Sequence, residues 1–219
     1  TVAGMLAVVD EAVGQITAAI EEKKMSDNTL IIFSSDNGGP GPGSATMNTP
    51  LRAGKATLYE GGVRVCSFAN WPGKIPSGIT IDEPLHAVDW FPTLVKLTGA
   101  PAEQKLAPDG LDIWPVLTQS AKSPHEALLL PGMAPDKMAL RMGDWKLILP
   151  SDVYVAQDGT LTPDHLVETT GKGPNSKFQL YNLRTDPSEV TNLFVQEPDK
   201  AEELFTALKA DLARGRSRP

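Results

Sequence analysis

The chain has 219 residues, 41% hydrophobic and 21% charged, with 20 Lys plus Arg against 27 Asp plus Glu and a formal net charge of −7. That length suffices for one sizeable domain or a domain with an appendage, and the composition is that of an ordinary globular chain. The acidic balance argues against a nucleic-acid binder, and the single cysteine, Cys66, rules out an intrachain disulfide or a cysteine-based zinc site.

Val2, Met5, Val9, Val13, Ile16 and Ile20 recur at spacings of three and four, which predicts an amphipathic helix over 2–20. On this reading no apolar run reaches the ~20 residues of a membrane helix, and no signal peptide is visible. Ser26-Asp27-Asn28 breaks the helix, and 29–34 reads as a buried strand, giving an α/β unit. The Gly/Pro-rich stretch 38–50 is a loop, Val63–Phe68 a second strand, and Asn70-Trp71-Pro72-Gly73 a turn. A helix is expected over 88–98, with Asp89 as its cap, Pro92 in its first turn and Gly99 as its stop. His86 reads as structural, and Trp71 and Trp114 as packing residues. Residues 100–126 read as a loop-rich connection. Short strands follow at 127–130, 137–142, 145–149 and 178–183, with a hairpin turn at Gly143-Asp144. A polar excursion occupies 151–177. Ala201, Leu204, Phe205, Leu208 and Leu212 line one face of a closing helix over Pro198–Arg214. A soft boundary near residue 120 divides α/β material (1–120) from a small α+β unit (121–219), an antiparallel sheet with a packed helix.

Chemistry concentrates between Ser34 and Val65. An apolar run ends at Ser35-Asp36-Asn37-Gly38-Gly39. Such a strand delivers a carboxylate and an amide to its carboxyl end, where ligands of open α/β sheets sit. Asp36 and Asn37 are hard oxygen donors suited to Ca²⁺ or Mg²⁺ rather than to a soft metal. Adjacent strand residues face opposite ways, so both reach one metal only once the glycines release the chain from strand geometry. Taken alone, the dipeptide also fits a turn whose side chains bond their own backbone. Lys55, among glycines, can supply a point positive charge to an anion on that metal.

Six motifs occur in order: SDNGG, PLRAGKATLYEGGVRV, WPGKIP, VDWFPTL, RMGDWKL and LYNLRTDPSEVTNL. Together they resemble the C-terminal half of a type I, formylglycine-dependent sulfatase of the arylsulfatase type. The resemblance implies an α/β, alkaline-phosphatase-like sulfatase sandwich carrying the small antiparallel sheet. It assigns Asp36 and Asn37 to calcium and Lys55 to the sulfate group. Arg52, Glu60 and Arg64 belong to the same motif and read as residues that orient Lys55, with a Glu–Arg ion pair around the Gly-Gly turn. Where the family usually has Pro, this chain has Cys66, read as a small buried thiol.

The family's Cys- or Ser-x-Pro-x-Arg motif, source of the formylglycine nucleophile, has no match here, nor do its earlier metal aspartates. Cys66 lacks that context. The resemblance therefore implies an N-terminal half as partner and a chain that alone hydrolyses no sulfate ester. It also implies a sulfate-ester small molecule or sulfated glycan as substrate, no nucleic-acid or membrane partner, and a periplasmic, lysosomal or secreted setting. Two alternatives stay open: a truncated or degenerate, non-catalytic sulfatase-like domain, and a phosphonate or phosphate monoester hydrolase of the same superfamily.

Overall fold

A computed structural model describes residues 2–40, 46–101, 107–133, 137–149 and 178–215. The expected excursion at 151–177 lies outside the described residues, as does the middle of the Gly/Pro loop, 41–45.

Helix α1 (Val2–Glu22) forms where the apolar spacing predicts it, yet none of its residues is buried. Met5, Leu6, Val8 and Ile16 remain largely exposed, so no described element covers its apolar face. By length and composition α1 could cross a membrane, a test that core helices and signal sequences also pass. The expectation that no apolar run is long enough is corrected accordingly; the interruptions by Asp10 and Glu11 hid the helix's overall apolar character. A 3-10 turn (Ser26–Asn28) leads into β1 (Ile31–Ser34).

Strand β1 pairs antiparallel with β2 (Ser67–Asn70), Ile31 opposite Asn70 and Ser34 opposite Ser67. The second strand starts four residues later than the periodicity suggests, because Glu60–Val63 closes into one helical turn, α2. Phe33 and Phe68 stack across the pair, with centroids 4.8 Å apart. Cys66 is exposed, not buried. It precedes β2, and its carbonyl accepts from the Ser35 N–H at 3.0 Å, so the backbone is held while the thiol faces outward.

Helix α3 (Trp90–Thr98) ends on Gly99 in the left-handed region, as anticipated. Asp89 caps differently from expectation. Its fully buried carboxylate makes no bond into α3 and instead accepts from the N–H groups of His86 and Leu111 and from His125 Nε2. Burial would push the Asp89 carboxyl up, but the His125 ring and the two N–H donors outweigh it and hold it below the ordinary range. His86 is structural: its Nδ1 accepts from the Val88 N–H, and burial lowers its pKa. Within the expected loop of 100–126 lies α4 (Trp114–Gln119), with Pro115 in its first turn. Trp71 and Trp114 meet edge to face at 5.8 Å.

The C-terminal sheet runs β3 (Leu128–Pro131), β4 (Met138–Met142), β5 (Trp145–Ile148), β6 (Gln179–Asn182), antiparallel throughout. Gly143, in the left-handed region, permits the tight β4–β5 turn. Strand alternation gives this sheet two buried faces. Leu140, Leu147 and Leu180 pack against Leu204, Phe205 and Leu208 of α5 (Pro198–Arg214). Ala139, Ile148 and Tyr181 face the other way, onto Leu58 and Tyr59. That second face places the Lys55 segment.

Candidate active site

The turn after β1 and the Lys55 segment are laced backbone to backbone. The Gly38 N–H donates to Gly62 O at 3.0 Å, Lys55 N–H to Gly39 O at 2.9 Å, and Gly61 N–H to Arg52 O at 2.9 Å. The Asn48 side chain closes the loop, accepting from the Gly39 N–H and donating to Gly39 O and Ala53 O. Only glycine fits where these segments cross. A Cβ on Gly38 would lie 1.7 Å from Gly61 O, and one on Gly61 would lie 2.2 Å from Arg52 O. Ala53 and Ala56, two residues before and one after Lys55, both have positive φ, 58° and 70°. Non-glycine residues hold that conformation only where the surroundings impose it.

Asp36, Asn37, Lys55 and Arg64 line one cleft, about 1730 Å³ in volume. Asp36 and Lys55 are exposed to it, and Asn37 is half-buried. Asp36 Oδ1 accepts from the Asn37 N–H at 2.9 Å, and Asn37 Nδ2 donates to Gly38 O at 3.0 Å. The hard oxygen donors there suit an oxygen-loving cation. Among the described residues, however, no cluster of three or more His, Cys, Asp or Glu is placed to hold a metal. Six to eight oxygens complete a Ca²⁺ shell, so this pair can supply only part of one.

The remaining motif residues diverge. Arg64 is exposed in the cleft, whereas Arg52 turns away from it. The Arg52 guanidinium donates to Glu189 O at 2.7 Å and Tyr181 Oη at 3.0 Å, and lies 4.1 Å over the Tyr59 ring. Glu60 forms no pair with Arg64. It is buried, and Lys146 Nζ donates to its Oε1 at 2.9 Å. The expected Glu–Arg pair is corrected by this contact: the helical turn α2 directs Glu60 into the second face of the C-terminal sheet.

Lys146 and Glu189 are the residues that sequence reasoning missed. Both are fully buried, with Lys146 Nζ 3.0 Å from Glu189 Oε1. Glu189 Oε2 accepts from the Glu60 N–H at 2.6 Å. Burial pushes the Glu189 carboxyl up, against the opposing pull of Lys146. The available signal was register: Lys146 alternates with Leu147 in an apolar strand whose other face also needs covering.

Residues 1–100 match the family model named Sulfatase. Human arylsulfatase A is 34% identical over 210 residues, which is 92% of this chain and 40% of that protein. A sulfatase of Formosa agariphila is 32% identical, over 94% of this chain and 37% of its own length. The crystal structure of Ps i-CgsB superposes with a TM-score of 0.76 at 29% identity, over 98% of this chain and 43% of that one; it has also been solved in complex with k-i-k-neocarrahexaose. The chain belongs to the sulfatase family and has its α/β fold. More particularly, it is similar to arylsulfatases, and it spans about two fifths of the length of the curated relatives, 40% and 37% of the two named.

Proposed function

We propose that this chain forms the metal-and-sulfate side of a sulfuric ester hydrolase of the arylsulfatase type. The observation that carries the reading is the convergence of Asp36, Asn37 and Lys55 on one cleft, with their segments locked together through glycines. Asp36 and Asn37 would hold Ca²⁺, in preference to Mg²⁺, and a bound Ca²⁺ would draw charge from the sulfate oxygens. Lys55 places an ammonium toward the same anion. As the ester cleaves, negative charge grows on peripheral and bridging oxygens, and a preorganised cation stabilises it. Arg64, exposed in the cleft, is positioned to meet the substrate's anionic periphery. Arg52 and Glu60 orient the Lys55 segment from behind.

In this reading residues 1–120 carry the site and 121–219 brace it. The remaining metal ligands and the formylglycine nucleophile belong to a further, N-terminal part of the same enzyme. The substrate is a sulfate ester, either a small molecule or a sulfated glycan; the sugar complex of Ps i-CgsB favours the glycan. The setting is periplasmic, lysosomal or secreted, and the acidic net charge of −7 disfavours a nucleic-acid partner. The 219-residue chain alone would be inactive.

The test is aryl sulfate hydrolysis by the protein expressed from its full reading frame. Lys55→Ala should lower kcat by about 10²–10³, the range for losing one preorganised charge-stabilising group, while leaving the melting temperature unchanged, since Lys55 is exposed. Undiminished turnover in Lys55→Ala would remove Lys55 from the chemistry.

A further inference from the structure

The segment that carries Lys55 is fastened at both ends to residues far away in the chain. At its start, the Ser188 hydroxyl donates to Pro50 O at 2.7 Å, and Arg52 donates to Glu189 O and Tyr181 Oη. At its end, Glu60 is gripped twice: its N–H by Glu189 Oε2 at 2.6 Å, its carboxylate by Lys146 at 2.9 Å. Glu189 joins both ends, using its carbonyl for one and its carboxylate for the other. It does so in the left-handed region, at φ 52°, a conformation that the surrounding bonds must impose.

Stability alone does not account for this arrangement. A buried ion cluster is often no more stable than apolar residues of the same volume, because desolvation offsets the attraction. Lys146 and Glu189 are both fully buried, and one Glu189 oxygen, Oε1, lies near Lys146 without a well-angled hydrogen bond. What such a cluster supplies is fixed geometry. Lys55 needs it: the side chain is long, exposed and flexible. A misplacement of about 1 Å in a charge-stabilising group can cost about 10² in rate.

We propose that Lys146 and Glu189 are positioning residues for Lys55, holding both ends of the 50–62 segment from the C-terminal sheet and the loop after it. The role rests on the sulfate reading of Lys55. Neither residue touches the cleft; Glu189 acts through Arg52 and Glu60, and Lys146 through Glu60, on the backbone between them.

Glu189→Gln tests this in the protein expressed from its full reading frame. The amide oxygen can still accept from the Glu60 N–H, while the charge facing Lys146 is removed. We expect kcat for an aryl sulfate to fall about tenfold or more, with KM within about twofold. In a Lys55→Ala background the same change should cost less than about twofold, because its effect passes through Lys55. A loss of equal size in both backgrounds would overturn the proposal, since a merely structural residue behaves that way. Amide exchange supplies a readout independent of the reaction. Exchange at Lys55 and Gly61 should accelerate about tenfold, with Leu140 and Leu147 unchanged; unchanged exchange at Lys55 would also overturn it. If the unsubstituted protein turns over no sulfate ester, the sulfate reading fails, and exchange still decides whether the segment is held by Glu189. Should Glu189→Gln not fold, Tyr181→Phe removes one Arg52 bond without touching the buried charges, and the same two readouts apply.

Discussion

Replacing Lys146 by Met isolates the energetics of the buried cluster. Lys146 is fully buried, 2.9 Å from Glu60 and 3.0 Å from Glu189. Met keeps the aliphatic stem and leaves two buried carboxylates with no cation between them. Removing one partner of a buried pair costs about 3–5 kcal/mol. Part of that is relieved when Glu189 takes up a proton, which burial already favours, so the lower figure, about 3 kcal/mol, is expected at pH 7. For a chain of this size, about 2–4 °C per kcal/mol translates it to a fall in Tm of about 6–12 °C by circular dichroism. The sign with pH follows from Glu189. An acid whose folded pKa is raised opposes folding above its unfolded pKa, and that opposition is relieved as pH falls. The deficit should therefore shrink toward pH 5. Lys23→Met is the control: Lys23 and Glu22 are 68% and 75% exposed, so their pair contributes close to nothing. Adding Glu60→Gln and Glu189→Gln to Lys146→Met should recover most of the loss. A fall in Tm below about 2 °C for Lys146→Met alone would refute a tightly coupled buried cluster.

Gly38→Ala should cost about 3 kcal/mol, near the upper range for overpacking, because its Cβ would meet Gly61 O at 1.7 Å and part the two segments. Gly14→Ala, in exposed α1 with nothing within 4 Å of the new Cβ, should stabilise by about 0.5–1 kcal/mol; both are read from urea midpoints, and equal effects would contradict the interlock. Acid should weaken the fold around α3. Asp89, with its lowered pKa, contributes stability that is complete above its unfolded value and lost as pH falls; His86, lowered by burial, adds a penalty as pH falls below its unfolded value, because the buried ring resists charging. Between about pH 6.5 and 3 the wild type should lose stability more steeply than Asp89→Asn combined with His86→Gln; parallel pH profiles would count against it.

The C-terminal half of the fold was legible because its signals are local. Period-two apolar runs, the Gly143-Asp144 turn and the helical stripe of α5 fix β3 to β6 and α5 to within a residue or two. The N-terminal misses have tertiary causes. Two glycines argue against a helix at Glu60–Val63, yet the turn forms because Glu60 is anchored at both its N–H and its carboxylate. Helix α4 carried a readable sign, Pro115 in its first turn, that the neighbouring loop residues obscured. The antiparallel pairing of β1 with β2 is set by contacts more than thirty residues apart, such as Ile31 with Asn70, which no periodicity reports. For the site, Asp36, Asn37 and Lys55 stand out by residue type beside glycines. Lys146 and Glu189 do not, because a charge in a short strand or a turn reads as a solvated one, and only the two-sided burial of the sheet reveals otherwise.

The most direct measurement compares hydrolysis of an aryl sulfate and the matching aryl phosphate by the protein expressed from its full reading frame, with Ca²⁺ present. A sulfatase turns over the sulfate with a kcat/KM at least about tenfold higher, a difference of about 1.4 kcal/mol in transition-state stabilisation. Faster turnover of the phosphate would contradict the sulfatase assignment and favour a phosphate monoester hydrolase of the same fold, and turnover of neither would leave a binding domain.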